Sequence, residues 1–210
     1  MNEHIAAVNR ERIARLAKKL EANSFGVSVF ETKEEAASFL KEAIPKGASI
    51  GVGGSESLAE LGIIEWLTGN ADYAFIDRYH TDDRPKAYRE ALTADVFLTS
   101  TNAVTMDGWL YNVDGTGNRV AAIIYGPDKV YVVAGVNKIV KDLESAKTRV
   151  EQLTAPANNH RLGKDNPCVK IGECVHCSQP TTICNQYVIS RRSGIPGRIH
   201  VILVNEELGY

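Results

Sequence analysis

The sequence predicts an α/β protein, in which helices cover both faces of a mostly parallel sheet. The main observation is that short β-rich runs alternate with helical patterns from residue 5 to residue 153. The composition agrees, because 44% hydrophobic and 24% charged residues are typical of a globular chain. A length of 210 residues suits one large domain, so we expect a single α/β domain over residues 1–210.

Helices and strands alternate from the first residues onward. Apolar positions at near-helical spacing predict a surface helix over residues 2–22, and the β-rich run 27–30 follows it. A capping box beginning at Thr32 predicts a helix that ends near Ile44. The compact apolar run 48–52 is typical of a central strand.

The same alternation continues after this strand. A helix is expected over residues 57–67, with a second capping box beginning at Ser57. The polar run 77–89 is interpreted as a solvated loop that leads into a short helix. The other expected elements are strands at 73–76, 95–99 and 130–134, a strand or hairpin at 103–111, a helix or strand at 119–125, and a helix at 140–153.

A cysteine-rich segment follows, in which no periodic pattern survives. Gly, Pro and Asn interrupt residues 156–187, so we expect an irregular, metal-binding insert. An apolar run at 198–205 then predicts a closing strand that returns to the sheet. The four cysteines of the chain all lie in the insert, at Cys168, Cys174, Cys177 and Cys184.

Charge and hydropathy exclude several classes of function. With 24 Lys+Arg against 26 Asp+Glu, the chain lacks the positive surface that binds a phosphate backbone, so no nucleic-acid partner is expected. The longest apolar runs fall short of the ~18 residues of a membrane span. The first residues lack the basic and apolar stretches of a secretory signal. We therefore expect a cytoplasmic protein without a membrane span. The sequence is compatible with a homo-oligomer.

A glycine-rich loop connects the strand at 48–52 to the next helix. Glycines let a ligand approach the backbone, and free N–H groups there suit an anion, so Gly53, Gly54, Ser55 and Ser57 are candidate ligand-binding residues. The loop has neither the third glycine of a dinucleotide-binding motif nor the lysine of a phosphate-binding loop. NAD and ATP are accordingly disfavoured. The alternative is a tight turn whose serines only cap the helix.

Polar side chains are dense between residues 100 and 119. Such side chains beyond strand ends either saturate turns or bind a small molecule. Arg119 can hold a carboxylate or phosphate with two hydrogen bonds, and Lys138 is a second candidate cation. Alternatively, Arg119 and Lys138 form surface ion pairs, and the Asp-Gly pairs at 107–108 and 114–115 only form turns. The other candidates here are Asn102, Asp107, Asn112, Asp114, Gly117 and Asn118.

Four ordered blocks of the chain match a known pattern, at residues 51–58, 94–104, 108–120 and 135–140. These blocks resemble the LUD-domain family, whose members are named for lactate utilisation. The resemblance implies a NagB/RpiA/CoA-transferase-like fold, whose members act on sugar phosphates, acyl-CoA thioesters or folates and share no catalytic residue. It also implies a role in 2-hydroxy-acid oxidation, with an iron–sulfur oxidase subunit as the partner.

The spacing of the four cysteines predicts a metal site. The pattern C-x5-C-x2-C-x6-C contains a chelating pair, Cys174 and Cys177, and four thiolates suit an iron–sulfur cluster or zinc. A redox-active disulfide is the non-metal alternative. The lactate association that the resemblance implies favours iron–sulfur. His160 and His176 are alternative ligands, although a histidine inside a C-x2-C pair more often faces solvent.

One acidic cluster is a further candidate site, and three functions remain possible. Asp77, His80, Asp82 and Asp83 are able to bind a hard cation, but neighbouring carboxylates in a charged run are usually solvated. The favoured function is binding of a small anionic metabolite in 2-hydroxy-acid utilisation. The alternatives are a stand-alone isomerase or CoA-transferase-like enzyme with structural zinc, and a non-enzymatic regulator or scaffold.

Overall fold

Ten strands form two sheets in the computed structural model, which describes residues 2–210. The strands are β1 (Gly26–Phe30), β2 (Ser49–Val52), β3 (Ala74–Phe75), β4 (Val96–Ser100), β5 (Ala103–Thr105), β6 (Leu110–Asp114), β7 (Lys129–Gly135), β8 (Ile139–Val140), β9 (Gln186–Ser190) and β10 (Ile199–Val204). Six parallel strands make the central sheet, in the order β1-β10-β7-β4-β2-β3. The smaller sheet has the order β8-β5-β6-β9 and is mixed. The predicted α/β class is therefore confirmed.

Nine α-helices are found among residues 2–210. They are α1 (Glu3–Ala22), α2 (Lys33–Ala43), α3 (Glu56–Glu60), α4 (Ile63–Leu67), α5 (Arg84–Glu90), α6 (Asn118–Ile124), α7 (Leu143–Arg149), α8 (Ala155–Arg161) and α9 (Pro167–Ile171). A π-helical stretch, Val150–Thr154, joins α7 to α8. No helix in the described part of the chain is long and apolar enough to cross a bilayer.

Apolar residues bury both faces of the central sheet. Leu98 of β4 points into a core shared with α2, α3 and α4, whereas its neighbour Phe97 points into a core shared with α1 and α6. Successive strand residues face opposite sides, so a strand with two covered faces must be apolar throughout. The continuous apolar runs at 130–134 and 201–204 have this cause, and β7 and β10 lie in the sheet interior.

The structure confirms one of the two predicted capping boxes and contradicts the other. Thr32 accepts from the Glu35 N–H at 3.3 Å and the Glu35 carboxylate accepts from the Thr32 N–H at 3.2 Å, so the first capping box is confirmed. The capping box predicted at Ser57 is wrong, because Ser55 caps α3 by accepting from the Leu58 N–H. Ser57 is fully buried in the helix instead.

The segment predicted to be irregular contains regular structure. Pro167 lies in the first turn of α9, where a missing N–H costs nothing, and Pro156 lies in α8 directly after the π-helical stretch. Strand β9 follows and pairs with β6. Asn166, which precedes α9, donates to the Asn159 side chain of α8 at 2.6 Å and accepts from the Thr181 hydroxyl at 2.7 Å. These side-chain hydrogen bonds hold a segment that has little apolar packing.

Candidate functional site

A cavity of about 280 Å³ lies beyond the carboxyl ends of β2 and β4, and we call it the basic cavity. The glycine loop after β2 forms one wall and the residues after β4 form another. Strand ends in a parallel sheet are where α/β proteins commonly bind ligands. The other walls come from the run before α5, from α8 and from Lys138, which lies on a short turn between β7 and β8.

Positive charge exceeds negative charge around the basic cavity. The lining cations are Arg78, Arg84, Arg119, Lys138 and Arg161, and the lining carboxylates are Glu56 and Asp114. Arg161 pairs with Glu56 at 3.2 Å. Within residues 2–210, no carboxylate lies within 4 Å of the other four cations. Arg78, Arg84 and Arg119 therefore bring positive charge to the cavity without a carboxylate in direct contact, and Asp114 acts on Arg119 only from a greater distance.

Arg119 is buried, with 8% of its surface exposed, and neutral acceptors surround its guanidinium. It donates to the Val113 carbonyl at 2.9 Å, to the Ser100 carbonyl at 3.1 Å and to the Asn102 side chain at 3.1 Å. It also donates to the Asn112 side chain. Burial lowers the pKa of Arg119, yet an arginine remains charged, so these bonds hold a cation in place without cancelling its charge.

The glycine at position 53 makes room for this arginine. A Cβ atom on Gly53 would lie 2.8 Å from the Thr99 hydroxyl and 3.0 Å from the Arg119 side-chain carbons. A Cβ on the neighbouring Gly54 would have no atom nearer than 3.7 Å. The loop therefore needs glycine at position 53 because the Arg119 stem passes against its backbone.

We expect Gly53→Ala to lower the free energy of unfolding by about 1–3 kcal/mol, because the added methyl group must displace buried atoms. Gly54→Ala is the matched control and should change stability by less than about 0.5 kcal/mol. Urea denaturation followed by circular dichroism measures both. Equal effects of the two substitutions would contradict the close-approach explanation.

Lys138 is 4% exposed and lies in a polar pocket formed by two serines. Its Nζ atom donates to the Ser57 hydroxyl oxygen and to the Ser100 hydroxyl oxygen, each at 2.9 Å. Burial, together with the nearby charges of Arg149 and Arg119, lowers the pKa of Lys138 to about 7. At neutral pH a large fraction of this amine is therefore uncharged.

The four cysteines line a second cavity of about 220 Å³, which we call the cysteine cavity. Cys168 is buried on α9, and the Cys174 N–H donates to the Glu151 carbonyl at 2.8 Å. His176 has an exposed side chain 3.6 Å from Glu151. Among residues 2–210, no group of three or more His, Cys, Asp and Glu side chains is arranged to hold a metal ion. The thiols thus share a cavity without converging on one point.

Thiol acidity in the cysteine cavity reflects burial and the grouping of sulfurs. Burial, with the other three cysteines, raises the pKa of Cys184 to about 11. Burial and the two central cysteines likewise raise the pKa of Cys168. Without a cation these thiols stay protonated, so a metal bound here would have to displace their protons.

Both the fold and the sequence of the chain match known proteins. The fold resembles the crystal structure of a DUF162 family protein from Deinococcus radiodurans, with a TM-score of 0.54 and 16% identity, over 93% of this chain and 98% of that one. The sequence model of the LUD domain matches residues 13–204. The chain belongs to the LUD-domain family. No curated protein matches the chain. The four cysteines lie within the matched residues of this LUD domain.

The basic cavity of this LUD domain brings together most of the residues that sequence reasoning selected. Ser57 contacts Lys138 from behind the wall. Gly53 and Asn112 contact Arg119, and Gly117 begins α6 with a φ of 88°. The candidates that line the cavity are Gly54, Ser55, Asn102, Asp114, Asn118, Arg119 and Lys138.

One candidate lies elsewhere. Asp107 lies in the turn between β5 and β6, where Asn23, the residue after α1, donates to its carbonyl at 2.9 Å. It is not among the cavity-lining residues. The Asp-Gly pair at 107–108 serves the turn, which was the alternative interpretation, because Gly108 has the positive φ of 76° that such a turn requires.

Several lining residues were not selected from the sequence. Arg78 and Arg84 belong to the run interpreted as a solvated loop, and Arg161 belongs to the predicted insert. Arg78 donates to the Tyr88 hydroxyl at 3.0 Å and stacks on its ring at 4.6 Å. A basic residue in a polar run gives no sequence signal of what it will face, so only the fold reveals this convergence.

The acidic cluster at 77–83 does not form a shared site. The Asp77 carboxylate contacts the His80 ring at 2.7 Å and accepts from the Tyr79 N–H at 2.7 Å. Asp83 caps α5 by accepting from the Lys86 N–H at 2.9 Å. These carboxylates serve loop and helix ends separately, as the solvated interpretation expects.

Proposed function

We propose that this LUD domain binds a small anionic metabolite in the basic cavity and takes part in the utilisation or oxidation of lactate-type 2-hydroxy acids. The observation that carries the proposal is the set of lining cations that have no carboxylate partner within the described chain. Guanidinium groups suit carboxylates and phosphates, because their N–H donors match two oxygens at once. The lactate association comes from the family to which the chain belongs.

The size of the basic cavity favours a compact ligand. About 280 Å³ lies near the lower end for small-molecule sites, so a short-chain acid suits it better than a nucleotide. Buried polar groups around the ligand would add directed hydrogen bonds, and the Asn102 and Asn118 side chains line the same space. This polar lining supports a hydroxy acid, which offers a hydroxyl as well as a carboxylate.

The proposal includes a metal centre in the cysteine cavity, held by Cys168, Cys174, Cys177 and Cys184. The donor types fit, because four thiols line one cavity and are the soft ligands that iron–sulfur clusters and zinc prefer, but the thiols would have to move together around the metal. A bound cation would also offset the burial that disfavours their thiolates. An iron–sulfur cluster would supply one-electron transfer at this position, whereas zinc would supply only structure.

The two cavities are neighbours across α8, which supports a joint role. Thr154 and Asn158 line the basic cavity, whereas the adjacent Ala155 and Asn159 line the cysteine cavity. Likewise, Ile183 lines the basic cavity and the adjacent Cys184 lines the cysteine cavity. One layer of chain therefore separates the proposed metabolite from the proposed metal centre. The partner we propose is an iron–sulfur oxidase subunit that exchanges electrons with this centre.

Calorimetric titration of anaerobically purified protein with lactate tests the binding proposal. Lactamide is the matched control ligand, since it keeps the hydroxyl and the shape but carries no charge. We expect lactate to bind at least about tenfold more tightly than lactamide, a difference of about 1.4 kcal/mol that the unpaired cations supply. Equal affinity for the two ligands, or no binding of lactate, pyruvate or inorganic phosphate, would reject an anion site.

A further inference from the structure

The hydrogen bonds of Lys138 leave one position of its amine free. Nζ donates to Ser57 and Ser100. The Ser57 hydroxyl donates to the Leu208 carbonyl at 3.1 Å, with the Ser100 oxygen 3.4 Å away as a longer alternative. The Ser100 hydroxyl donates to the Thr101 carbonyl at 3.3 Å. Both serine oxygens therefore accept from Lys138, and no third polar partner of Nζ exists among residues 2–210.

The free position determines what the amine can do. An uncharged amine has two N–H groups and one lone pair, so donation to two serines leaves the lone pair available. Lys138 lines the basic cavity, while Ser57 lies behind it. The charges that act on Lys138 are those of Arg149 and Arg119, which oppose its protonation, and those of Glu60 and Glu56, which favour it. Burial adds to the effect of the two arginines.

We propose that Lys138 is a nucleophile that forms an imine with the carbonyl group of a 2-oxo acid bound in the basic cavity. The inference rests on the proposed function, because it assigns the ligand class of the same cavity. A buried lysine beside other cations is a recognised way to activate an amine for attack on a carbonyl. Arg78 and Arg84 would hold the carboxylate of the acid in the same cavity, whereas Arg119, whose terminal N–H groups are donated to the protein, contributes its charge.

The step balances without a further reactant. The Nζ lone pair attacks the carbonyl carbon, a C–N bond forms, and the carbonyl oxygen leaves as water with the two amine protons. A C=N bond replaces the C=O bond, and neither carbon nor nitrogen changes its net oxidation. A 2-hydroxy acid has a hydroxyl group in place of the ketone carbonyl and cannot form an imine, so the chemistry separates the two ligand classes.

Reductive trapping tests the proposal. The full chain is incubated with pyruvate, treated with sodium borohydride, digested and analysed by peptide mass spectrometry. We expect a pyruvate adduct on Lys138 at a level at least about tenfold above that on any other lysine. Lactate is the matched ligand and should leave no adduct. Lys138→Arg should abolish the adduct, whereas Lys141→Arg, a change of an exposed lysine nearby, should retain it.

The outcomes separate this inference from the proposed function. Calorimetric binding of pyruvate and lactate without any trapped adduct would overturn the imine and leave the anion site intact. Adducts spread equally over exposed lysines would also overturn it. Absence of binding by both acids would reject the proposed function together with the inference. If Lys138→Arg does not fold, the peptide map of the unaltered chain still decides.

Discussion

Arg119→Ala is expected to lower the free energy of unfolding by about 3 kcal/mol and to weaken anion binding to the basic cavity. The substitution removes donors from four buried or half-buried acceptors, and an acceptor left without a partner costs about 1–3 kcal/mol. It also removes a cation that has no carboxylate partner within residues 2–210. Urea denaturation and calorimetric titration with lactate measure the two effects.

Two further variants make this test specific. Arg119→Lys keeps a charge but cannot reach four acceptors, so we expect intermediate stability and weakened binding. Arg191→Ala removes an exposed guanidinium that stacks on Trp109 at 4.8 Å, and it should cost at most about 1 kcal/mol without affecting the ligand. If Arg119→Ala retains full affinity for lactate, the charge of Arg119 does not contribute to binding.

We expect replacement of Cys174 and Cys177 with Ser to remove the proposed metal centre from protein purified without oxygen. We expect the unaltered chain to carry iron and sulfide with absorbance in the visible range, and the double variant to be colourless. A metal whose free concentration is about 100 times its Kd stabilises the fold by about 2.7 kcal/mol. The Tm should therefore fall by roughly 5–10 °C. Metal analysis, the visible spectrum and thermal unfolding give the three readouts.

His176→Ala is the matched control for the cysteine variants. This residue lies between the two cysteines, but its side chain is 65% exposed and contacts Glu151, so the metal should be retained. Stoichiometric zinc in colourless anaerobic protein would reject the iron–sulfur centre and leave the four-cysteine site. Metal-free protein with four free thiols would reject the site itself.

Local signals predicted most of the fold. Alternating apolar runs predicted the parallel strands, and the Thr32 capping box predicted the start of α2, because these features depend on neighbours in sequence. The run at 119–125 stayed ambiguous between helix and strand, since seven residues are too few to separate the two periods. Its helical form depends on Gly117 and on the Asp114 carboxylate, which accepts from the first N–H groups of α6.

The candidate site was predictable only in part. Asn102 and Arg119 could be selected because they belong to a dense polar run and to no obvious turn pair, and Lys138 because it follows a strand. Arg78, Arg84 and Arg161 could not, because their position depends on how a polar run and α8 fold over that edge. The role of Ser57 was likewise hidden, since its contact with Lys138 joins residues far apart in the chain.

The position of β10 also determines when the fold can form. Strand β10 lies between β1 and β7, and Gly26 pairs with His200, so β1 has no strand partner until residues 199–204 are available. During synthesis on a ribosome, the nascent chain must therefore carry β1 unpaired while most of the domain is translated. Pairings so distant in sequence fold slowly and leave strand edges open to aggregation. Completion of the central sheet therefore has to wait until residues 199–204 are available.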